Sequence, residues 1–593
     1  MAGESATSLQ SLDTDEMVAT FITNLWMTWD RDKEEAVDRW REVESYRYAT
    51  NTSELNNVEN SFTHSTHIPI VSTIAQDLEA ILLQVVMPHE DWFTFQPMDS
   101  FAARKDQRQA IVSYLKNRIA LNGYFEEVTK LRSDLVTYGN CFSQVTYVDE
   151  STEEKAGYIG FKARRISPYD IAFDPTCAEF EKAPKVIREV ISLGELFKRG
   201  RDGIFDEATV TKLLKERNYS GTSDGNDDKN DQYVPRGFGT YQQYLTSGYV
   251  ELLWFYGDIF DAVRGELREA MMYVVADQDH LLKEEAIPTT NGLPHIYQSV
   301  WQKLPDNLWG MGPLENIIGM NYQINHRENS KSEGLDRTIY PDKVYTGDVE
   351  EMYDEDTGQV TYLAPEGGGV QDLGINTQFL NADLHIDRLN HGARAAARLP
   401  SDLTGFRSQG EKTLGEVTAL TDGGMRGFID KAADFERSSL EKHLQAGIEL
   451  AYDNFGSAFK IPNKSEGGLI TMLELSKEDL GINGVLVPRG AKRFARKNQL
   501  LASLTQVSAT PFAQSAALHF SGKASANLIA ELLEVQNTGL VEEFAQLHEQ
   551  TEAQQIMQQG EQSSAMAATQ PGLEEQMLNQ DLDGGEMEEE EEE

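Results

Sequence analysis

The chain has 593 residues, is 40% apolar, and carries 97 acidic against 53 basic residues, for a net charge of −44. That length leaves room for several domains with real cores, while that charge excludes tight duplex-DNA binding over the whole surface, because phosphate neutralisation needs clustered Lys and Arg. Two cysteines, Cys141 and Cys177, make no disulfide framework and fit a reducing compartment; no apolar run is long enough for a membrane span, and the acidic, polar start MAGESATSLQSLDTDE predicts no signal peptide.

Residues 1–60 read as helices. Asp13 or Thr14 is placed to cap one running through MVATFITNLWMTWDRDKEEAVDRWREVESYRY, with Met17, Phe21, Leu25 and Trp26 on one apolar face and Trp40 and Tyr46 continuing a second. Ile70–Val86 has helical apolar spacing, and Trp92–Phe95 reads as a short strand. His64 and His67 have no third ligand nearby, so no metal site is expected there. Residues 101–140 are helical and stop at Gly139-Asn140; CFSQVTYVDE and GYIGFKARRIS then follow as strands. In SPYDIAFDP two prolines and two acids bracket a short apolar run, so Asp170 and Asp174 read as turn chemistry and not as paired catalytic carboxylates. VIREVIS is a strand, ATVTKLLKERN a helix, Ser220–Gly239 a polar surface loop, and 248–276 returns to strands. The first 300 residues therefore predict an α+β domain of helices with antiparallel strands.

From Gly310 to Val417 the pattern is helix, small β insert, helix, loop. Pro313 suits a first helical position and Glu315 a first turn, where the helix dipole favours an acid. Leu314, Ile317 and Ile318 have helical spacing, but Asn325–Glu333 is polar on every side, so this helix predicts neighbours other than an ordinary apolar core. In the insert, KVYTGD and QVTYLAP alternate with Asp-Thr-Gly and Gly-Gly-Gly turns. It is too small to bury much of a core alone. A second helix covers about 383–399 with Arg388, Arg394 and Arg398, and Pro400 stops it. A long helix then spans about 414–455, with a kink expected at Gly423-Gly424. A strand GVLVPRG follows, residues 491–560 are mainly helical, and the run Glu588–Glu593 predicts a self-repelling, disordered tail.

Gly405–Thr413 (GFRSQGEKT) comes close to a phosphate-binding loop. Glu411, inserted between the second glycine and the lysine, breaks the register in which backbone N–H groups and the lysine converge on phosphate, and the required preceding strand is missing. ATP binding is not expected here.

The order of parts resembles the portal (head-to-tail connector) proteins of tailed bacteriophages, closest to those of short-tailed, podovirus-like phages. The pieces that carry the resemblance are VSTIAQDLEAILLQVVMPHEDWFTFQP, LVTYGNCFSQVTY, SPYDIAFDP, WGMGPLENIIGMNYQINHRENSKSEG and GEKTLGEVTAL. The resemblance implies an α+β portal fold that forms a ring, usually of twelve subunits, at one capsid vertex. Residues 1–309 with 456–489 would be the wing, 310–336 and 383–399 the stem helices, and 337–382 the clip. Residues 400–413 would be the tunnel loop, 414–455 the long kinked helix, 490–560 the crown and 561–593 the acidic tail. It further implies a non-enzymatic conduit for double-stranded DNA during packaging and ejection, located in the virion, with no cofactor and no membrane. Its partners would be other copies of itself, the large terminase subunit, major capsid and scaffolding proteins, the tail adaptor and internal core proteins. Arg388, Arg394, Arg398, Arg407 and Lys412 would touch DNA phosphates in the channel, or equally make salt bridges between subunits. Asp348, Glu350, Glu351, Asp354, Glu355 and Asp356 of the clip would dock the terminase or tail. The alternatives are a nucleic-acid-handling NTPase or nuclease, and a non-portal assembly scaffold.

Overall fold

In the computed structural model the described residues are 5–48, 66–87, 92–97, 105–151, 157–216, 233, 236, 248–289, 291–339, 343–346, 350–353, 360–363, 369–372, 382–399, 427–455, 459–464, 470–475, 477–480 and 484–490. The chain divides into two compact units, Met1–Ala495 and Arg496–Glu593, and the second lies wholly outside the described residues. The expectations for most of the 220–239 loop, the tunnel loop, the kink at Gly423-Gly424, the crown and the acidic tail also fall outside them.

The N-terminus opens with β1 (Ser5–Ser8), where a polar helical region was expected. Its alternation buries Ala6 and Ser8, and it pairs in parallel with the strand at 249–261. Helix α1 (Asp15–Asp32) starts where the Thr14 hydroxyl accepts the Met17 N–H at 3.4 Å, with Asp15 and Glu16 in the first turn. Its buried face is Val18, Ala19, Ile22, Trp26 and Trp29. Of the expected face only Trp26 is buried: Met17 is 47% exposed, and Phe21 and Leu25 are half-buried. What reads as one helix is broken at Lys33. Its ammonium is buried, donates to the carbonyls of Tyr169 (2.9 Å) and Ile171 (3.2 Å), and pairs with Asp30 at 2.6 Å. Helix α2 (Glu34–Tyr48) follows, burying Trp40.

Helices α3 (Ile70–Val86), α4 (Lys105–Leu121) and α5 (Tyr124–Tyr138) flank strand β2 (Phe93–Pro97). Helix α5 ends at Gly139 as expected. Its φ of +69° is left-handed, and a Cβ there would lie 2.3 Å from the backbone of Met311 and Gly312, so only glycine fits. Strands β3 (Asn140–Asp149), β4 (Ile159–Ile166), β5 (Ile171–Phe173) and β6 (Lys185–Ser192) lead to α6 (Leu193–Arg201) and α7 (Glu207–Glu216). Then come β7 (Tyr249–Asp261), β8 (Glu266–Ala276), β9 (His280–Ala286) and β10 (Ile296–Val300).

The largest sheet among the described residues is antiparallel in the order β5-β6-β7-β8-β9, with β1 added to β7; a second has the order β10-β3-β4. β7 is apolar on both faces because both are covered. Leu253, Phe255 and Ile259 pack with Ile22 and Trp26 of α1, while Val250 and Leu252 meet Leu196 of α6 and Val210 and Leu213 of α7. Full burial of each such side chain contributes about 1.5–3 kcal/mol. Asp170 and Asp174 are not a catalytic pair. Asp174 accepts the Thr176 N–H at 2.9 Å in a turn, and Asp170 meets Arg188 at 3.3 Å.

A hairpin of β11 (Gln302–Leu304) and β12 (Asn307–Met311) precedes α8 (Ile318–Ile339). Strands β13 (Lys343–Thr346) and β16 (Gly369–Asp372) pair, as do β14 (Glu350–Tyr353) and β15 (Val360–Leu363). Helix α9 (Ala382–Ala396) follows. The described part of the long helix comprises α10 (427–435), a π-helical turn Glu436–Leu440, and α11 (Glu441–Asp453). Strands β17 (Phe459–Lys464) and β18 (Ile470–Leu475) form a hairpin, and after the short α12 (Lys477–Leu480) strand β19 (Gly484–Pro488) returns to pair with β2, nearly 400 residues away in sequence. The described residues thus form an α+β fold.

Candidate nucleic-acid interface on the paired helices

Helices α8 and α9 pack on each other, and Lys331 bridges to Asp383 across the pair at 2.6 Å. The start of α8 is later than expected. Residues Glu315–Ile317 form a 3-10 turn, and the α-helix begins at Ile318 and runs to Ile339. Glu315 is not simply a first-turn acid: its Oε1 accepts the Gly312 N–H at 2.8 Å, and its carboxylate pairs with Arg39 at 3.3 Å. Burial pushes the Glu315 carboxyl above the usual range, against the opposing pull of the Gly312 N–H and Arg39.

The polar stretch of α8 turns out to have an inward face. Asn321, Asn325 and Asn329, four residues apart, are all buried. Asn329 Oδ1 accepts the Thr66 N–H at 2.8 Å. Asn325 Oδ1 accepts the Ile68 N–H at 3.0 Å, and its amide donates to His67 Nδ1 at 2.9 Å. The helix therefore satisfies the backbone that leads into α3, where an apolar stripe would leave those N–H groups unpaired. The neighbour required by these asparagines belongs to the same chain, which corrects the expectation of a helix polar for want of an ordinary core. It also occupies the His67 lone pair that metal binding would need, and no metal-holding group of three His, Cys, Asp or Glu occurs among the described residues. His64 lies outside them.

Some apolar residues of the pair are exposed. Tyr322, Leu335, Ile339 and Leu384 are exposed, Ile339 by 66% and Leu384 by 76%. Arg388 is exposed on α9. Arg394 is only 13% exposed at its side chain and lies 3.5 Å from Asp77 of α3. Helix α9 ends at Ala396, three residues earlier than expected, in a Schellman turn: Leu399 N–H donates to Arg394 O and Arg398 N–H to Ala395 O, each at 3.0 Å. Arg398 holds the left-handed position, at φ +59°, usually filled by glycine. This conformation costs on the order of 1 kcal/mol for a residue with a side chain. Its guanidinium passes over Gly427, where a Cβ would lie 3.1 Å from Nη1. Arg407 and Lys412 lie outside the described residues, as do Asp348, Asp354, Glu355 and Asp356, while Glu350 and Glu351 lie on β14.

Sequence reasoning missed two other polar constellations. In the first, Glu44 is fully buried and accepts from Tyr138 at 2.5 Å, Arg236 at 2.9 Å and Tyr169 at 3.2 Å. Burial drives its carboxyl above the usual range, opposed first by the Arg236 charge. In the second, His443 of α11 sits between Tyr124 OH (3.0 Å to Nδ1) and Ser143 Oγ (2.6 Å to Nε2). A Ser–His contact suggests a nucleophile, but His443 is entirely buried, and desolvation lowers its imidazole to about 3. A base so depressed and sealed from substrate does not activate a hydroxyl; it joins α5, β3 and α11. The periodicity of 441–453 marks position 443 as inward-facing, which is the one signal that identifies it.

No family model matches the chain, and a search of curated proteins finds no significant match.

Proposed function

We propose that the chain is a portal protein of a tailed, podovirus-like phage, forming a ring at one capsid vertex through which double-stranded DNA is packaged and ejected. The observation that carries this reading is the set of large apolar residues that the helix pair leaves exposed. Ile318, Ile324 and Ile386 are buried beside the three asparagines, while Tyr322, Leu335, Ile339 and Leu384 are exposed. A second copy of the same pair covers such a surface in a ring, since exposed apolar area in a soluble chain marks an interaction site. The order of motifs along the chain supports the same reading, with the wing, stem, clip, tunnel loop, long helix, crown and tail at the boundaries given above. Twelve subunits, the terminase, capsid, scaffolding, core and tail-adaptor partners and the virion location follow from it.

The protein acts as a conduit without chemistry of its own. Acidic walls keep DNA sliding because tight binding needs counterion-releasing cations. Arg388 and Arg398, with Arg407 and Lys412, make transient phosphate contacts, while the placement of Arg394 beside Asp77 favours a structural role. Negative-stain imaging of purified protein tests the reading. Rings with a central hole are expected, and Leu384→Glu, which sets a charge on the exposed face, should leave monomers with unchanged circular dichroism. Monomers of the unmodified chain at micromolar concentration, or ATP hydrolysis by it, would overturn the proposal.

A further inference from the structure

A cavity of about 360 Å³ opens between the sheet β10-β3-β4 and the face of β6-β7-β8. Ligand pockets for small organic molecules begin at about this volume. In a chain of net charge −44, its lining is unusual: it includes four arginines, Arg164, Arg165, Arg188 and Arg199, beside two acids, Asp170 and Glu189. One wall is apolar, built from the cross-strand pairs Ile187–Trp254 and Tyr256–Met272.

The polar wall is held in place from behind. Glu189 accepts from both terminal nitrogens of Arg199 at 3.2 Å, from Arg164 at 3.1 Å and from the Trp254 indole at 3.0 Å. Arg165, next along β4, turns its guanidinium to the other face of the sheet, where Nη2 lies 2.8 Å from the Asp134 carboxylate of α5. The Glu189 contacts set the guanidinium planes and the indole plane before any ligand arrives, which removes ordering cost from binding. Arg164 is 65% exposed, so most of its donors face the opening. Ser167 Oγ is buried against the cavity and, among the described residues, has no hydrogen-bond partner. A buried hydroxyl without a partner is costly unless something arrives to meet it.

We propose that this cleft binds a small organic anion of the nucleoside monophosphate class. Its flat ring lies against Trp254, Tyr256 and Met272, and its phosphate meets Arg164 and the Ser167 hydroxyl. Arginine forks match phosphate oxygens in pairs, and an indole offers a stacking face to any base. The site is separate from the paired helices and does not depend on the portal reading.

Isothermal titration of the full chain with AMP, inorganic phosphate and adenosine tests the assignment. AMP should bind saturably, phosphate more weakly and in competition with it, and adenosine more weakly still. Arg164→Ala should weaken AMP about tenfold, the loss expected for one charged hydrogen-bonding partner, and Arg164→Lys should restore part of it. Because Arg164 is exposed and Glu189 keeps Arg199 and Trp254, the variant should retain its melting temperature. Ser167→Ala should weaken AMP without moving adenosine. No saturable AMP binding, unchanged AMP affinity in folded Arg164→Ala, or phosphate binding as tightly as AMP would each overturn the proposal.

Discussion

Replacing His443 with Gln should remove an acid-labile element from the core. In the folded chain desolvation holds this imidazole neutral, lowering it from an ordinary 6.5 to about 3. The unfolded chain takes up a proton near 6.5 while the folded chain does not. The neutral-histidine contribution is therefore complete above about pH 6.5 and is lost as pH falls towards 3. Between pH 7.5 and 5.0 the unfolded state binds close to one extra proton over about 1.5 effective pH units, so the wild-type chain should lose about 2 kcal/mol from this residue. A glutamine in its place does not titrate, yet its amide can still meet Tyr124 OH and Ser143 Oγ. Urea unfolding of both proteins at the two pH values, at fixed protein concentration and read by tryptophan fluorescence, isolates the difference. Other shifted carboxyls, Glu44 and Glu315 among them, are common to both chains and cancel. The variant should lose about 2 kcal/mol less than wild type on acidification. Equal losses in the two proteins would refute the claim that His443 is neutral and sealed in the fold.

Three further substitutions test the architecture. Asn325→Ala leaves the Ile68 N–H without its acceptor and His67 without its donor, and should destabilise by about 1–3 kcal/mol in thermal or urea melts; a change under a few tenths would mean that water replaces the amide freely. Gly139→Ala should cost more than about 4 kcal/mol, because its Cβ would meet backbone at 2.3 Å. Gly123→Ala, at a similar φ of +70° with open space around it, should cost only about 1 kcal/mol; equal melting-temperature losses at the two sites would show that the steric argument is wrong.

Much of the fold is legible in the sequence where periodicity and punctuation agree. Ile70–Val86, the strands from 249 to 276 and the stop at Gly139 all emerge with the expected type, because apolar spacing and a left-handed glycine act locally. What escapes is set by distant partners. Ser5–Ser8 has no strand signal of its own and is ordered by the edge of β7. The break at Lys33 depends on carbonyls of Tyr169 and Ile171, more than 130 residues away. The cleft of arginines escapes too, since Arg164, Arg188 and Arg199 come from β4, β6 and α6 and meet only when two sheets face each other.

The paired helices show why a polar helix is informative once its partners are known. An apolar stripe on α8 would bury readily against α3, but it would slide in register and leave the N–H groups of Thr66 and Ile68 bare. Asn325 and Asn329 instead fit one position only, since each amide has a fixed backbone partner. Buried polar groups of this kind trade stability for a unique register. Apolar residues share that buried side, Ile318 and Ile324 on α8 and Ile386 on α9, while Tyr322, Leu335 and Ile339 on α8 and Leu384 on α9 stay exposed. Those exposed residues gain when a second copy covers them, because the apolar area leaves water while the inner register, already fixed, presents every copy in the same orientation. On the portal reading, the asparagines thus set the geometry of a helix whose stickiness faces its neighbours, and closure of a ring requires that geometry to repeat without drift from one copy to the next.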